Sequence, residues 1–158
     1  MKNLEILKIV NENNKYFEII CNWMYEWWGE KDNWSLEKVK EYMRNSMCTD
    51  RIPQTFIAVH DNEVVGMYQI SMNDLDVRPD IYPWLINVYV EPKYRGNGIC
   101  KKMVEHCINE ARELNLENIY LYTKHVGLYE KYGFNFIKEI NTFKEDSLVE
   151  RLYVFNII

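Results

Sequence analysis

Hydrophobic positions along the chain switch between a period of two and a period of three to four, and each switch marks a change of element. Leu4, Ile6, Ile9 and Val10 alternate imperfectly and predict a first strand, ended by the polar cluster Asn11 to Asn14. From Lys15 to Trp28, Phe17, Ile20, Cys21 and Met24 fall at helical spacing, and Gly29 stops the run. Ser35 reads as an N-cap, because Leu36, Val39, Tyr42, Met43 and Met47 follow on one helical face. Between the two helices lies a tryptophan-rich loop, WWGEKDNW.

Thr55 to Val59 and Val64 to Ile70 flank His60-Asp61-Asn62-Glu63 and predict a hairpin. Asn73 to Pro83 is an acidic loop carrying Asp74, Asp76 and Asp80, and Trp84 to Val90 is the next strand. Ile99, Met103, Val104, Cys107, Ile108, Ala111 and Leu114 repeat at helical spacing and predict a helix of about four turns. Ile119 to Tyr122 then form a strand, and Val126 to Tyr132 a short helix closed by Gly133. Phe134 to Phe143 and Leu148 to Phe155 predict a final antiparallel pair joined by the charged turn Lys144-Glu145-Asp146-Ser147. No repeat, low-complexity tract or linker interrupts this order, so one domain over residues 1–158 is expected.

Composition narrows the partners. A net charge of -5 without a polybasic run argues against nucleic acid or an anionic membrane surface and favours a cationic small molecule. Cys21, Cys48, Cys100 and Cys107 form no CxxC pair, and no histidine cluster has metal-ligand spacing. No metal is therefore expected, and the thiols are expected reduced in a cytoplasm. The opening MKNLEILKIVNENN lacks the continuous apolar core of a signal peptide, and no stretch reaches the ~18 apolar residues of a membrane span.

The strand ending at Val90 meets the long helix through Arg95-Gly96-Asn97-Gly98, an order that places free backbone N–H groups and a partial positive charge beside two glycines. Alone, this is either a turn that needs glycine or a phosphate cradle. A dinucleotide fingerprint needs a further glycine where Lys101 stands, and a P-loop motif is absent.

The stretch VYVEPKYRGNGICK, Val88 to Lys101, followed by the helix and by LYEKYGF, Leu128 to Phe134, resembles the GCN5-related N-acetyltransferase (GNAT) superfamily. The family's signature has a strand ending in V-x-P, then Arg or Gln, two variable positions, Gly, one variable position, and Gly or Ala. Arg95, Gly98 and Cys100 hold the defined places. Cysteine at the last place departs from the pattern and narrows the space for a pyrophosphate; its side chain reads as packing filler.

The resemblance implies an α/β (α+β) fold: a mixed, mostly antiparallel sheet of six to seven strands with a splayed parallel pair and about four helices. It implies acetyl-CoA as co-substrate, with the pantetheine arm on the edge Val88, Tyr89 and Val90. Backbone N–H groups of Arg95, Gly96, Asn97, Gly98, Ile99, Cys100 and Lys101 would hold the pyrophosphate. The amides from Val88 to Val90 are oxyanion candidates, and Tyr129 takes the family's place for protonating the departing thiolate. Tyr132 and Phe134 are expected in the core. Where the family often has an Asn or Asp on the coenzyme, this chain has Thr123-Lys124-His125.

Glu91, Asp74, Asp76 and His125 remain unranked as general base. The acceptor side is expected to use Glu26, Trp27 and Trp28, with Trp23 and Trp34, beside Asp74, Asp76 and His125, through charge and cation–π contact. Trp27 and Trp28 cannot both face inward on one helix. The activity implied is direct acetyl transfer to a primary amine of a small cationic acceptor such as a polyamine, aminoglycoside or lysine side chain. Alternatives are a non-catalytic acyl-CoA-binding or sensing module, or a protein amine as acceptor. A monomer or homodimer is expected, without nucleic acid or membrane as partner.

Overall fold

The computed structural model describes residues 1–145 and 147–158; Asp146, in the charged turn between the last two strands, lies outside them. Seven strands, β1 (Leu4–Ile9), β2 (Gln54–His60), β3 (Glu63–Ser71), β4 (Trp84–Val90), β5 (Asn118–Thr123), β6 (Asn135–Lys144) and β7 (Ser147–Asn156), form one sheet in the order β1-β2-β3-β4-β5-β7-β6. Every neighbouring pair is antiparallel except β4 and β5, which run parallel and meet only at Trp84 and Tyr120. Beyond that point the two strands part. The expected class of sheet and the splayed pair are both present.

Alternation along the strands sorts side chains onto two faces. Leu85, Ile119, Leu121 and Tyr153 pack with Ile99, Met103, Val104 and Cys107 of α3 (Ile99–Glu113). On the other face Ile57, Val59, Val64 and Met67 meet α1 (Phe17–Met24) and α2 (Leu36–Arg44). On that same face, offset by one residue from Leu85 and Tyr153, a third cluster gathers Trp84, Ile86, Ile140 and Leu152 under Leu75 and Ile81 of the acidic loop. A gap between the second and third clusters follows the parting of β4 from β5.

Local signals account for most boundaries. Ser35 Oγ accepts the Lys38 N–H at 3.1 Å, the expected cap of α2. Asp61 and Asn62, both at positive φ, make the two-residue turn between β2 and β3.

Two helices differ from expectation. α1 ends at Met24 and continues as a π turn, Tyr25–Gly29. Gly29 is where the turn nears α2, since a Cβ there would lie 2.9 Å from Val39 Cγ2. The short helix expected from Val126 to Tyr132 is a single 3₁₀ turn, Glu130–Tyr132, so among the described residues three α-helices stand where about four were expected. The stretch lies between Gly127 and Gly133, both at positive φ, which leaves too few residues to propagate a helix.

Candidate functional site

The gap beside β4 exposes a polar backbone edge. The Glu91 N–H donates to Val65 O at 2.9 Å, so Glu91 and, two residues back, Tyr89 face β3. Val88 and Val90 therefore turn their N–H and C=O groups away from β3, into the gap. The strand is bent just before them: Asn87 has φ 50°, and the β3–β4 register slips between Met67 and Gln69. A buried side-chain bridge holds the bend. Gln69 Oε1 accepts from Asn87 Nδ2 at 2.6 Å and from the Tyr42 hydroxyl at 3.3 Å, while Gln69 Nε2 donates to Thr55 Oγ1 at 2.9 Å.

The glycine loop follows at the end of this edge. After a 3₁₀ turn, Pro92–Tyr94, Gly96 and Gly98 take φ values of 81° and 76°, and a Cβ at either would meet nothing within 4 Å. Asn97 Nδ2 braces the loop on Tyr94 O at 2.9 Å and Arg95 O at 3.3 Å. No side chain caps α3 and no acidic residue stands in its first turn, so its leading N–H groups face an open, glycine-walled space. These groups fit a pyrophosphate. Lys101 is exposed nearby, while the Ile99 side chain is buried and contributes backbone alone. Arg95 folds back, its Nε donating to Val90 O at 2.9 Å.

Cys100 is half-buried, and burial pushes its pKa up. Its side chain packs against the core cluster that Tyr132 of the 3₁₀ turn also borders. That turn presents Tyr129, which is 7% exposed and lies with its ring 6.0 Å from Tyr132 and 5.9 Å from Phe134. Burial raises the Tyr129 pKa well above its ordinary value, with Cys100 and Tyr132 adding to it. Phe134 is in the core as expected, whereas Tyr132 is partly buried.

The tryptophans expected at an acceptor form two groups. Trp23 and the exposed Trp27 lean on Tyr89, with ring centres 4.8 and 5.6 Å away, and the Glu26 charge also acts on Tyr89. Trp28, Trp34 and Tyr42 stack edge to face at 5.2 to 5.9 Å, and the Trp28 Nε1 is buried without a partner among the described residues. Trp27 and Trp28 thus face different ways.

The acidic loop divides too. Asp80 is held by Arg78 and its pKa is lowered to about 2. It lines a separate cavity of about 640 Å³ with Arg51, Tyr82 and Glu117. Asp76 is exposed; Asp74 is half-buried within electrostatic reach of Tyr42 and Tyr122. The His125 side chain is exposed, and the His125 backbone N–H donates to Thr123 Oγ1 at 3.1 Å.

Sequence reasoning missed Asn87, Gln69, Tyr42 and Tyr122. The usable signal was a polar residue inside each of two apolar strands, WLINVYV and VVGMYQI, with Asn tolerant of positive φ. Among the described residues no three His, Cys, Asp or Glu side chains group as metal ligands, and no helix is long and apolar enough to cross a membrane.

Residues 13–134 match the family model described as the acetyltransferase (GNAT) family. No protein of curated function matches the chain significantly. Among solved structures, a GNAT family acetyltransferase from Elizabethkingia anophelis with acetyl-CoA bound is similar over 99% of both chains, at 17% identity and TM-score 0.69. An aminoglycoside 6'-N-acetyltransferase complexed with coenzyme A is similar over 98% of this chain and 97% of its own, at 18% identity and TM-score 0.71. The NatC complex bound to Gag peptide and CoA contains a chain similar over 98% of both, at 21% identity and TM-score 0.72. At these identities the likeness concerns the fold.

Proposed function

The chain belongs to the acetyltransferase (GNAT) family, and we propose that it acts as one domain that transfers the acetyl group of acetyl-CoA directly to a primary amine of a small cationic acceptor. The observation that carries this reading is the continuity of backbone donors: the Val88 and Val90 edge, unpaired where β4 leaves β5, runs into the uncapped start of α3. Bound acetyl-CoA would supply an activated thioester. Val88 and Val90 would hold the pantetheine arm, with Arg95 giving up Val90 O to it, whereas Tyr89, expected on this edge, spends its backbone on β3. The N–H groups from Arg95 to Lys101 would take the pyrophosphate. The Val88 and Val90 amides are suited to charge that builds on the thioester oxygen.

Tyr129 is the acid in this reading. Its hydroxyl, like that of any tyrosine, is protonated at neutral pH and would donate toward the leaving sulfur, although burial, by raising its pKa, makes it a weaker acid. The cation preference is supported by Asp74, whose charge acts on Tyr42 of the aromatic group Trp28, Trp34 and Tyr42, by Asp76, which acts on Tyr122, and by Glu26 and Trp27 at the Tyr89 end. His125, exposed on its turn, is given no role.

Calorimetry with acetyl-CoA, followed by thiol-release assays on spermidine, an aminoglycoside and a peptide with a free N-terminus, tests the reading. Binding is expected, with turnover of the small polycations exceeding that of the peptide. Absence of acetyl-CoA binding at millimolar concentration would remove it.

A further inference from the structure

Four carboxylates stand in the loop before β4 or just after its end, and each differs in what it already holds. Asp80 accepts from Arg78 Nε at 2.8 Å and from a second guanidinium nitrogen at 2.7 Å. Asp76 is exposed and accepts from Asn73 Nδ2 at 2.7 Å, and Glu91 accepts from the Tyr89 hydroxyl at 3.2 Å. Asp74 differs from all three: it is half-buried, and its carboxylate has no hydrogen bond or ion pair among the described residues.

Its position is fixed by its neighbours. The next residue, Leu75, is 2% exposed and anchors the loop in the cluster of Trp84 and Ile86. The Asp74 charge acts on Tyr42 of α2 and Tyr122 of β5, Lys144 of β6, Glu150 of β7 and Asp76 of its own loop act on Asp74, and Asp32 acts on Tyr122. Lys144 Nζ also donates to the Tyr122 hydroxyl. Tyr42 is the link to the bent strand, because the Gln69 oxygen that takes its hydrogen also holds Asn87, one residue before Val88.

We propose that Asp74 is the proton acceptor that frees the amine of the acceptor for attack, a role that rests on the acetyltransferase reading above. The ammonium proton passes to the Asp74 carboxylate. The nitrogen lone pair then forms the C–N bond at the thioester carbonyl and the C–S bond breaks. The departing sulfur takes a proton from Tyr129, which recovers one from the nitrogen, and the proton on Asp74 leaves to water. The sum is ammonium plus acetyl-CoA giving amide, coenzyme A thiol and one proton. Burial, with Glu150 and Asp76 adding to it and Lys144 opposing, raises Asp74 to about 6. The group is thus charged at neutral pH and more basic than an ordinary carboxylate.

With whichever amine of the panel turns over, the acid limb of kcat/KM is expected near pH 6, the value of the free enzyme's Asp74. Asp74→Asn is expected to lower kcat by about 10²- to 10⁴-fold with the acetyl-CoA Kd unchanged. Lys144→Met is expected to move the acid limb up and Glu150→Gln to move it down, shifts that a merely structural residue would not produce. A readout without turnover accompanies these: Asp74→Asn is expected to raise Tm at about pH 8 and to leave it unchanged at about pH 3. Turnover of Asp74→Asn within twofold of wild type, or an acid limb that neither neighbour variant moves, overturns the assignment alone. A wild type that binds acetyl-CoA but acetylates no amine overturns the acetyltransferase reading and this role with it.

Discussion

At Tyr129 the hydroxyl sits in an aromatic cluster formed by Tyr132 and Phe134, and no hydrogen bond to it is made among the described residues. A ring without the oxygen fills the same space. Tyr129→Phe is therefore expected to change stability by less than about 1 kcal/mol, because no protein bond is lost. It is expected to lower kcat about 10²-fold if the hydroxyl protonates the leaving sulfur. Thermal melts and steady-state rates separate the two effects; unchanged turnover would return Tyr129 to the core. Cys100 makes the opposite case. Its side chain packs against the core, and a Cβ placed at Gly96 or Gly98 meets no atom within 4 Å, so Cys100→Ala is expected to leave acetyl-CoA affinity within about twofold in calorimetry while costing about 1 kcal/mol of packing. Asp74 carries a stability sign of its own. Its folded pKa is raised from 3.8 to about 6, so the folded chain keeps a proton that the unfolded chain loses, and stability falls as pH rises through that window.

The β3–β4 pair is the element on which the site depends, and Gly66 marks its closest approach. A Cβ at Gly66 would lie 2.7 Å from Tyr89 O and 3.3 Å from Met103 Sδ, and the backbone oxygen cannot yield as a side chain can. Gly66→Ala is expected to cost about 1–3 kcal/mol in denaturant titration by forcing β3 from β4. Acetyl-CoA affinity should fall with it, since the displaced strand carries the Val88 and Val90 edge; a stable variant with full affinity would contradict the strand-edge reading. β4 and α3 were both legible in the sequence, because an apolar run, two glycines and a period of three to four survive any detail of packing. The bend at Asn87 was not legible, because its conformation depends on Gln69 and Tyr42, which approach from two other elements. The 126–132 segment misled for a related reason: its apolar letters match one helical turn, and the flanking glycines allow no more.

Across the whole molecule the net charge of -5 is unevenly spread in a way that composition alone does not reveal. Exposed Lys93, Arg95, Lys101 and Lys102 collect around the glycine loop, whereas Asp32, Asp74, Asp76 and Glu150 act together on Tyr122 across the gap. An anionic coenzyme and a cationic amine would thus approach fields of opposite sign. Salt weakens both attractions over the ~8–10 Å reach of unscreened charge at moderate ionic strength. Raising salt from about 0.05 to about 0.5 M is expected to raise the acceptor KM, more for a triamine than for a monoamine, with kcat unchanged at saturation. Glu150→Gln should flatten that dependence, and Lys101→Gln should flatten only the dependence of acetyl-CoA binding. An acceptor KM that stays level with salt for the triamine would mean that the carboxylates around Tyr122 do not contribute to its capture.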